Sequence, residues 1–309
     1  MNSTQAKSTV AAVVVTFNRK DLLCQCLDGI LGQTRAVEAL YVIDNASTDG
    51  TGDLIRARYA DSVTYIRMSE NLGGAGGFHH GMKRAYEDGF EFIWIMDDDV
   101  LPGRSCLEML LSGTDAARIV SPLHLSVAGE IVEVAHVRIK GKRDWRLESY
   151  LCRRFNDVSR IPPRIEVSTV SFEGPLVHRS VIEKAGLPRA DFFILFDDTE
   201  YCIRVSELNL GPILCITAAR MTRLLSQPDC ASPLWRSYHL WRNRLHSLRS
   251  YETGPLGKVV IDAHFFLTYF RAVLLRRVPI GEIRVRFDAW RDSYSRPFRS
   301  RYLPPHAGK

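Results

Sequence analysis

The sequence predicts an α/β protein: a doubly wound, mostly parallel sheet followed by a helical, basic C-terminal extension. Two observations predict the sheet and one the extension. Short aliphatic runs alternate with amphipathic stretches four times within the first hundred residues. The runs are continuous, as expected of strands buried on both faces. Positive charge then gathers near the chain's end, with nine arginines against Glu282, Asp288 and Asp292 between Phe265 and Pro304.

Each element follows from its local pattern. Val10–Phe17 is a valine-rich run suited to a central strand, and Asn18 is placed to cap the helix Arg19–Gln33. In that helix Leu22, Leu23, Cys26, Leu27 and Ile30 recur at helical spacing. Ala39–Ile43 and Val63–Ile66 predict the second and third strands, with helices at Asp53–Tyr59 and Gly77–Tyr86. Phe90–Met96 predicts the fourth strand. Repeated β-α units of this kind build an open sheet whose ligand crevice lies at the carboxyl ends of the strands.

From Ser121 the alternation loosens. Ile131–Ile139 alternates like a strand with one solvated face, and residues 140–164, with Pro162-Pro163, read as a loop. Regular structure is expected again over Ile165–Phe172, in a helix near Arg179–Ala185, in a strand Phe192–Phe196 and in a helix after it. Beyond Pro233 the helices Trp235–Tyr251 and Lys258–Val278 are predicted. The second sets Phe265, Phe266, Tyr269 and Phe270 beside Arg271, Arg276 and Arg277, which fits an interfacial helix or a packed helix with a basic edge. The expected organisation is one domain over 1–250, with halves at about 10–120 and 121–250, and a basic helical region over 251–309.

With 46% hydrophobic and 25% charged residues the composition is that of a globular protein. The seven cysteines form no C-x-x-C pair, so reduced thiols are expected. Met1–Thr9 is polar, unlike a secretory signal, and no 18-residue uncharged apolar run occurs. A cytoplasmic location is expected, with peripheral contact to the inner face of the cell membrane through the basic C-terminus.

The chemistry concentrates at strand ends. The run Phe92–Met96 ends in Asp97-Asp98-Asp99. Three carboxylates at one strand mouth repel unless a cation neutralises them, and hard oxygen ligands suit Mg²⁺ or Mn²⁺ shared with a phosphate. Asp44–Thr51 follows the second strand, where Asp44 and Asn45 are placed to bond a base or ribose. Asn71-Leu-Gly73-Gly74-Ala-Gly-Gly-Phe78 is a glycine-rich turn opening a helix, a place where backbone N–H groups approach a diphosphate or sugar. His79 and His80 beside it are candidates for substrate contact. A second apolar run ends in Asp197, Asp198 and Glu200, and Asp198 is singled out as a base for an acceptor hydroxyl.

Together these segments resemble inverting glycosyltransferases of family 2, with the GT-A fold. Val13-Val-Val-Thr-Phe-Asn-Arg19, Asp44-Asn-Ala-Ser-Thr-Asp-Gly-Thr51, Glu70–Phe78, Asp97–Asp99 and Phe196-Asp-Asp-Thr-Glu-Tyr201 stand in that family's order. The glycine loop and the aspartate triplet are most similar to bacterial galactofuranosyltransferases, with rhamnosyltransferases next. The resemblance implies transfer of a sugar from a UDP- or dTDP-sugar to a lipid-linked or polysaccharide acceptor in cell-surface glycan synthesis. It implies a nucleotide pocket of Thr16, Phe17, Asn18, Arg19 and Asp44, and donor contacts from Asn71, Gly73, Gly74 and Asp98. It further implies a divalent metal held by Asp97 and Asp99, Asp198 as general base, and Asp197 and Glu200 on the acceptor side. The family's histidine after the base is absent, leaving Arg220, Arg223 or His239 to meet the diphosphate or the metal.

Two other readings stand beside this one: a sugar-nucleotide pyrophosphorylase, and a non-catalytic glycan or nucleic-acid binder. The loop Thr16–Lys20 lacks the glycines the first requires. Phosphate-repelling acidic clusters argue against the second and against a nucleic-acid partner.

Overall fold

The computed structural model describes residues 8–132, 135–137, 148–149, 160–225, 234–251, 254–275, 279–295 and 302–303. The first hundred residues form β1 (Val10–Thr16), α1 (Lys20–Leu31), β2 (Ala39–Asp44), α2 (Thr51–Arg58), β3 (Thr64–Arg67), α3 (Gly73–Glu87) and β4 (Phe92–Asp97). These strands pair in parallel in the order β3-β2-β1-β4. All seven residues of β1 are buried, which explains its unbroken apolar run. Its Val13 and Val15 pack with Phe78 and Met82 on one face, while Val14 meets Leu23, Leu27 and Ile30 of α1 on the other.

Register sets the site. Thr16 stands opposite Asp44, and Val15 opposite Asp97, so the ends of β1, β2 and β4 reach one edge of the sheet.

The chain continues as β5 (Val100–Pro102), α4 (Cys106–Leu111), β6 (Ile119–Ser126), β7 (Ala135–Val137), β8 (Glu148–Ser149), β9 (Arg164–Val167), β10 (Thr169–Val170), β11 (Leu176–His178) and α5 (Arg179–Ala185). Next come α6 (Asp197–Glu207) and β12 (Ile213–Arg223). Among the described residues the main sheet has nine strands, ordered β3-β2-β1-β4-β11-β6-β12-β5 with β9 against β12. The β11 strand runs antiparallel between β4 and β6, while β6 and β12 run parallel. A small antiparallel sheet holds β10-β7-β8. The expected strand Ile131–Ile139 survives as β7 in that small sheet, the rest lying partly outside the described residues.

Two expectations fail. Phe192–Phe196 is no strand: a 3-10 turn at Ala190–Phe192 leads into Phe193, Leu195 and Phe196 with φ of 66°, 64° and 69°. The α3 helix begins at Gly73, so the glycine run is its first turns rather than a loop before it. A Cβ at Gly77 would lie 2.4 Å from Val15 Cγ1, and one at Gly81 2.3 Å from Val13 Cγ1. These glycines let α3 lie against β1.

The C-terminal helices are α7 (Leu234–Tyr251), α8 (Pro255–Leu274) and α9 (Ile280–Asp292). Tyr238 of α7 packs with Val285 and Ala289 of α9 and donates to Asp292 at 2.8 Å. Phe265 and Tyr269 of α8 are buried; Phe265 meets Trp241 edge-on at 5.5 Å and Tyr269 donates to the Ile283 carbonyl at 2.9 Å. Most of the aromatic set expected at a membrane therefore faces protein. Arg276 and Arg277 lie outside the described residues.

Candidate active site

A cleft of about 690 Å³ opens at the edge where β1 and β4 end. On the side of the aspartate triplet Thr16 Oγ1 donates to Asp98 Oδ2 at 2.7 Å, and Arg19 Nη1 reaches Asp98 Oδ1 and Asp99 Oδ2, both at 3.1 Å. Asp98 is almost fully buried, and burial raises its pKa to about 6 despite the opposing pull of Arg19 and Thr16. It therefore anchors Arg19, with both oxygens engaged, rather than presenting a free face to a sugar. Asp97 is half-buried and its carboxyl is pushed well above the usual range, first by desolvation and then by Asp99, Glu173 and Asp98.

The side carrying Asp197 and Asp198 is built on the turn at Phe193–Phe196. Asn243 of α7 donates its amide to the carbonyls of Phe192, Ile194 and Leu195 at 3.1, 3.0 and 2.7 Å. Arg242 adds a bond to the Phe192 carbonyl at 2.9 Å and orients Asn243 Oδ1 at 2.8 Å. Three non-glycine residues at positive φ cost about 1–2 kcal/mol each, so this fixed conformation depends on such bonds. The turn delivers Asp197 and Asp198 to the cleft as the opening residues of α6. Burial, and then Asp198, raise Asp197 to about 8.

The two sides are locked together. Ala75 N–H donates to the Phe193 carbonyl at 3.1 Å, and a Cβ at Gly73, where φ is +72°, would lie 1.9 Å from that oxygen. Asn71 Oδ1 accepts from Gly73 N–H at 2.8 Å, and Asn45 Nδ2 donates to Gly73 O at 3.0 Å. Only glycine fits there.

Of the expected residues, Thr16, Phe17, Arg19, Asn71, Gly73 and Gly74 line the cleft. So do Asp97, Asp98, Asp99, Asp197 and Asp198. Four do not. Asn18 caps no helix: its Oδ1 accepts from Thr48 N–H at 2.7 Å, stapling the loops after β1 and β2. Asp44 is fully buried, accepting from Ser47 N–H at 2.9 Å and from Tyr65 O–H, so it closes its own loop instead of meeting a base. Glu200 turns away to Arg204, at 2.8 Å, and to Tyr251. His239 is buried with Nε2 3.0 Å from the Tyr302 carbonyl and its ring stacked on Phe193 at 5.1 Å, a packing residue rather than a ligand. His79 and His80 likewise face carbonyls, of Pro188 and Gly76, each at 2.8 Å.

Sequence reasoning missed Glu173, Trp235, Arg236 and Asn243. Glu173 pairs with Arg223 in the cleft, and burial raises its pKa to about 7. Its Oε2 is buried with no hydrogen-bond partner among the described residues. Arg223 stands in register with Val100, directly after the triplet, because β5 pairs with β12. Trp235 and Arg236 line the cleft from the first turn of α7. Nothing local marked these residues, since their roles arise from pairing across the sheet or from a distant helix.

The donor set suits a hard divalent cation. Asp97 and Asp99 are two half-buried carboxylates whose mutual repulsion a cation would relieve. Among the described residues no three His, Cys, Asp or Glu side chains form a complete metal cage. A cation here would take its remaining ligands from phosphate and water, the usual arrangement for Mg²⁺.

Comparison with known proteins places this geometry. Residues 11–184 match the family model described as glycosyl transferase family 2. The chain is 32% identical over 213 residues to the galactofuranosyltransferase GlfT1 of Mycolicibacterium smegmatis, spanning 68% of this chain and 69% of that protein. It is 25% identical over 283 residues to GlfT2 of the same organism, spanning 82% of this chain and 43% of that one. In fold it resembles GalNAc-T7 solved with UDP, GalNAc and Mn²⁺, with a TM-score of 0.62 at 12% identity over 95% of this chain and 57% of that longer one. It also resembles S. aureus TarS 1–349 in complex with UDP, with a TM-score of 0.57 at 15% identity over 92% and 78% of the two chains. The protein is a glycosyltransferase of family 2 with the GT-A fold.

Proposed function

We propose that this enzyme transfers galactofuranose, with inversion, from UDP-galactofuranose to a lipid-linked or polysaccharide acceptor in cell-surface glycan synthesis, with rhamnose from dTDP-rhamnose as the next candidate donor. One observation carries the catalytic reading: a single cleft gathers the aspartate triplet and the Asp197-Asp198 pair, with Glu173 close enough to feel the charges of both Asp99 and Asp198. The choice of sugar is supported by the names of the relatives at 32% identity.

In this reading Asp198 accepts the proton of the acceptor hydroxyl as its oxygen attacks the anomeric carbon, and the bond to the nucleoside diphosphate breaks. Asp97 and Asp99 would hold Mg²⁺ or Mn²⁺, which when bound supplies positive charge for the departing diphosphate. Arg19 and Arg223 add cations of the protein's own at the same edge. Asn71 and the Gly73–Gly74 turn shape the donor pocket, and Asp197, held neutral, contributes a hydrogen-bond donor beside the base. Such a reaction belongs at the inner face of the cell membrane, where nucleotide sugars meet lipid-linked acceptors.

The test is release of nucleoside diphosphate from UDP-galactofuranose, dTDP-rhamnose and UDP-hexoses, with and without chelator, in the presence of acceptor glycan. Turnover of UDP-galactofuranose alone supports the reading. Formation of pyrophosphate from a nucleoside triphosphate would replace it with a pyrophosphorylase.

A further inference from the structure

The α8 helix is apolar on two sides. Its inner side buries Phe265 and Tyr269 against the neighbouring helices. Its outer side carries Leu256, Val259, Val260, Leu267, Phe270 and Leu274, each between 58% and 83% exposed. At 100° per residue these six fall within an arc of roughly 100° centred opposite Phe265. An arc this wide of large apolar side chains, open along a whole helix, marks an interaction surface rather than scattered exposure.

We infer that this face of α8 is a docking surface for an anionic lipid bilayer, on which the helix lies flat. Charge decides the occupant. Arg271 is exposed on the flank of the arc. Arg276 and Arg277 come directly after α8 in the sequence. The acid on this helix, Asp262, is bonded to Arg249, Trp290 and Tyr294. The surplus of arginine over acid between Phe265 and Pro304 equals the chain's whole formal charge of +6. A second copy docked on the same face by a twofold axis would set these cations against their own counterparts. Anionic headgroups instead pair with the arginines while the apolar arc enters the acyl boundary. Among the described residues no helix is long and apolar enough to cross a membrane, so the geometry is that of a helix lying in the interface.

The proposal goes beyond the transfer reaction, and its test needs no donor sugar. The full-length protein is sedimented with vesicles of phosphatidylcholine alone and of equal parts phosphatidylcholine and phosphatidylglycerol. Binding is expected to the anionic vesicles and to weaken with salt. The double variant Leu267→Asp, Phe270→Asp should weaken it at least about tenfold, and Arg271→Glu should weaken it about fivefold or more. All of these side chains are exposed, so unchanged melting temperatures are expected and show that the fold is intact. Vesicle binding that is absent, or equal in wild type and double variant, overturns the proposal. So does a wild-type dimer that the double variant converts to a monomer while vesicle binding persists, which would assign the face to a second copy.

Discussion

Asn243 Nδ2 donates to the Leu195 carbonyl at 2.7 Å, so a side chain on α7 holds the turn that delivers Asp198 three residues later. The same amide serves the Phe192 and Ile194 carbonyls. Asn243→Ala removes the donor to the Ile194 and Leu195 carbonyls, while Arg242 still serves Phe192, and should cost about 2–3 kcal/mol of stability. Because the relaxed turn displaces the carboxylate, kcat should fall about tenfold or more, with the donor KM nearly unchanged. Urea unfolding and initial-rate kinetics on one preparation check both. A fall in stability without loss of kcat would remove the turn from catalysis.

Asp198→Asn keeps the shape of the side chain and removes the carboxylate proposed as the base. Turnover should drop by about 10²–10⁴-fold. Nucleoside diphosphate affinity, read by calorimetry, should stay within about twofold, because the triplet and Arg19 are untouched. Retained turnover would move the base to another carboxylate, Glu173 being nearest in environment.

Asp99→Ala removes one of the two half-buried carboxylates and an anchor of Arg19. The divalent-ion dependence of UDP binding should weaken by about tenfold or more. Titrating Mn²⁺ against UDP binding in wild type and variant measures it. Equal metal dependence in both would exclude Asp99 as a ligand.

Gly77→Ala places a methyl group where Val15 already sits, so α3 must lift from β1. A destabilisation of about 1–3 kcal/mol is expected, accompanied by a raised donor KM because Gly73 and Asn71 move with the helix. Gly50→Ala is a control with nothing near the added carbon, its cost set only by the positive φ. Thermal melts of the pair separate crowding from backbone strain.

Asp197 gives a pH signature. Its folded pKa is raised to about 8 by burial and Asp198, whereas an unfolded aspartate titrates near its ordinary value of about 3.9. Between those values the folded state holds the extra proton. Stability therefore falls as pH rises through that window, by at most about 1.4 kcal/mol per unit from this group. Asp197→Asn, which resembles the neutral acid, should flatten the dependence. Urea midpoints at intervals from mildly acidic to mildly alkaline pH, compared between the two proteins, test the sign.

Much of the site was legible because it lies at strand ends, where a local pattern and a functional position coincide. A run of apolar residues that stops at Asp97-Asp98-Asp99 announces both a buried strand and a crevice at its mouth. The glycine run was legible as a place of close approach, yet the partner was misread: Gly77 and Gly81 admit Val15 and Val13, and Gly73 admits the Phe193 carbonyl. Phe192–Phe196 misled because five apolar residues before acids look the same whether a ladder or a distant amide satisfies their carbonyls. Asp44 and Glu200 carry the right chemistry for substrate, but their partners, Tyr65 and Tyr251, sit 21 and 51 residues away and claim the carboxylates first.

The sequence by itself determined the alternating layers, the acidic strand ends and the basic end of the chain, since periodicity and charge are local properties of neighbouring residues. Tertiary structure alone decided which carboxylates face the cleft, that Arg223 stands beside the triplet, that Asn243 holds the turn before Asp197 and Asp198, and that α8 exposes Leu267 and Phe270 while burying Phe265 and Tyr269. Those outcomes depend on register between strands and on helix packing, in which residues far apart in the chain compete for the same hydrogen bonds and the same buried surface.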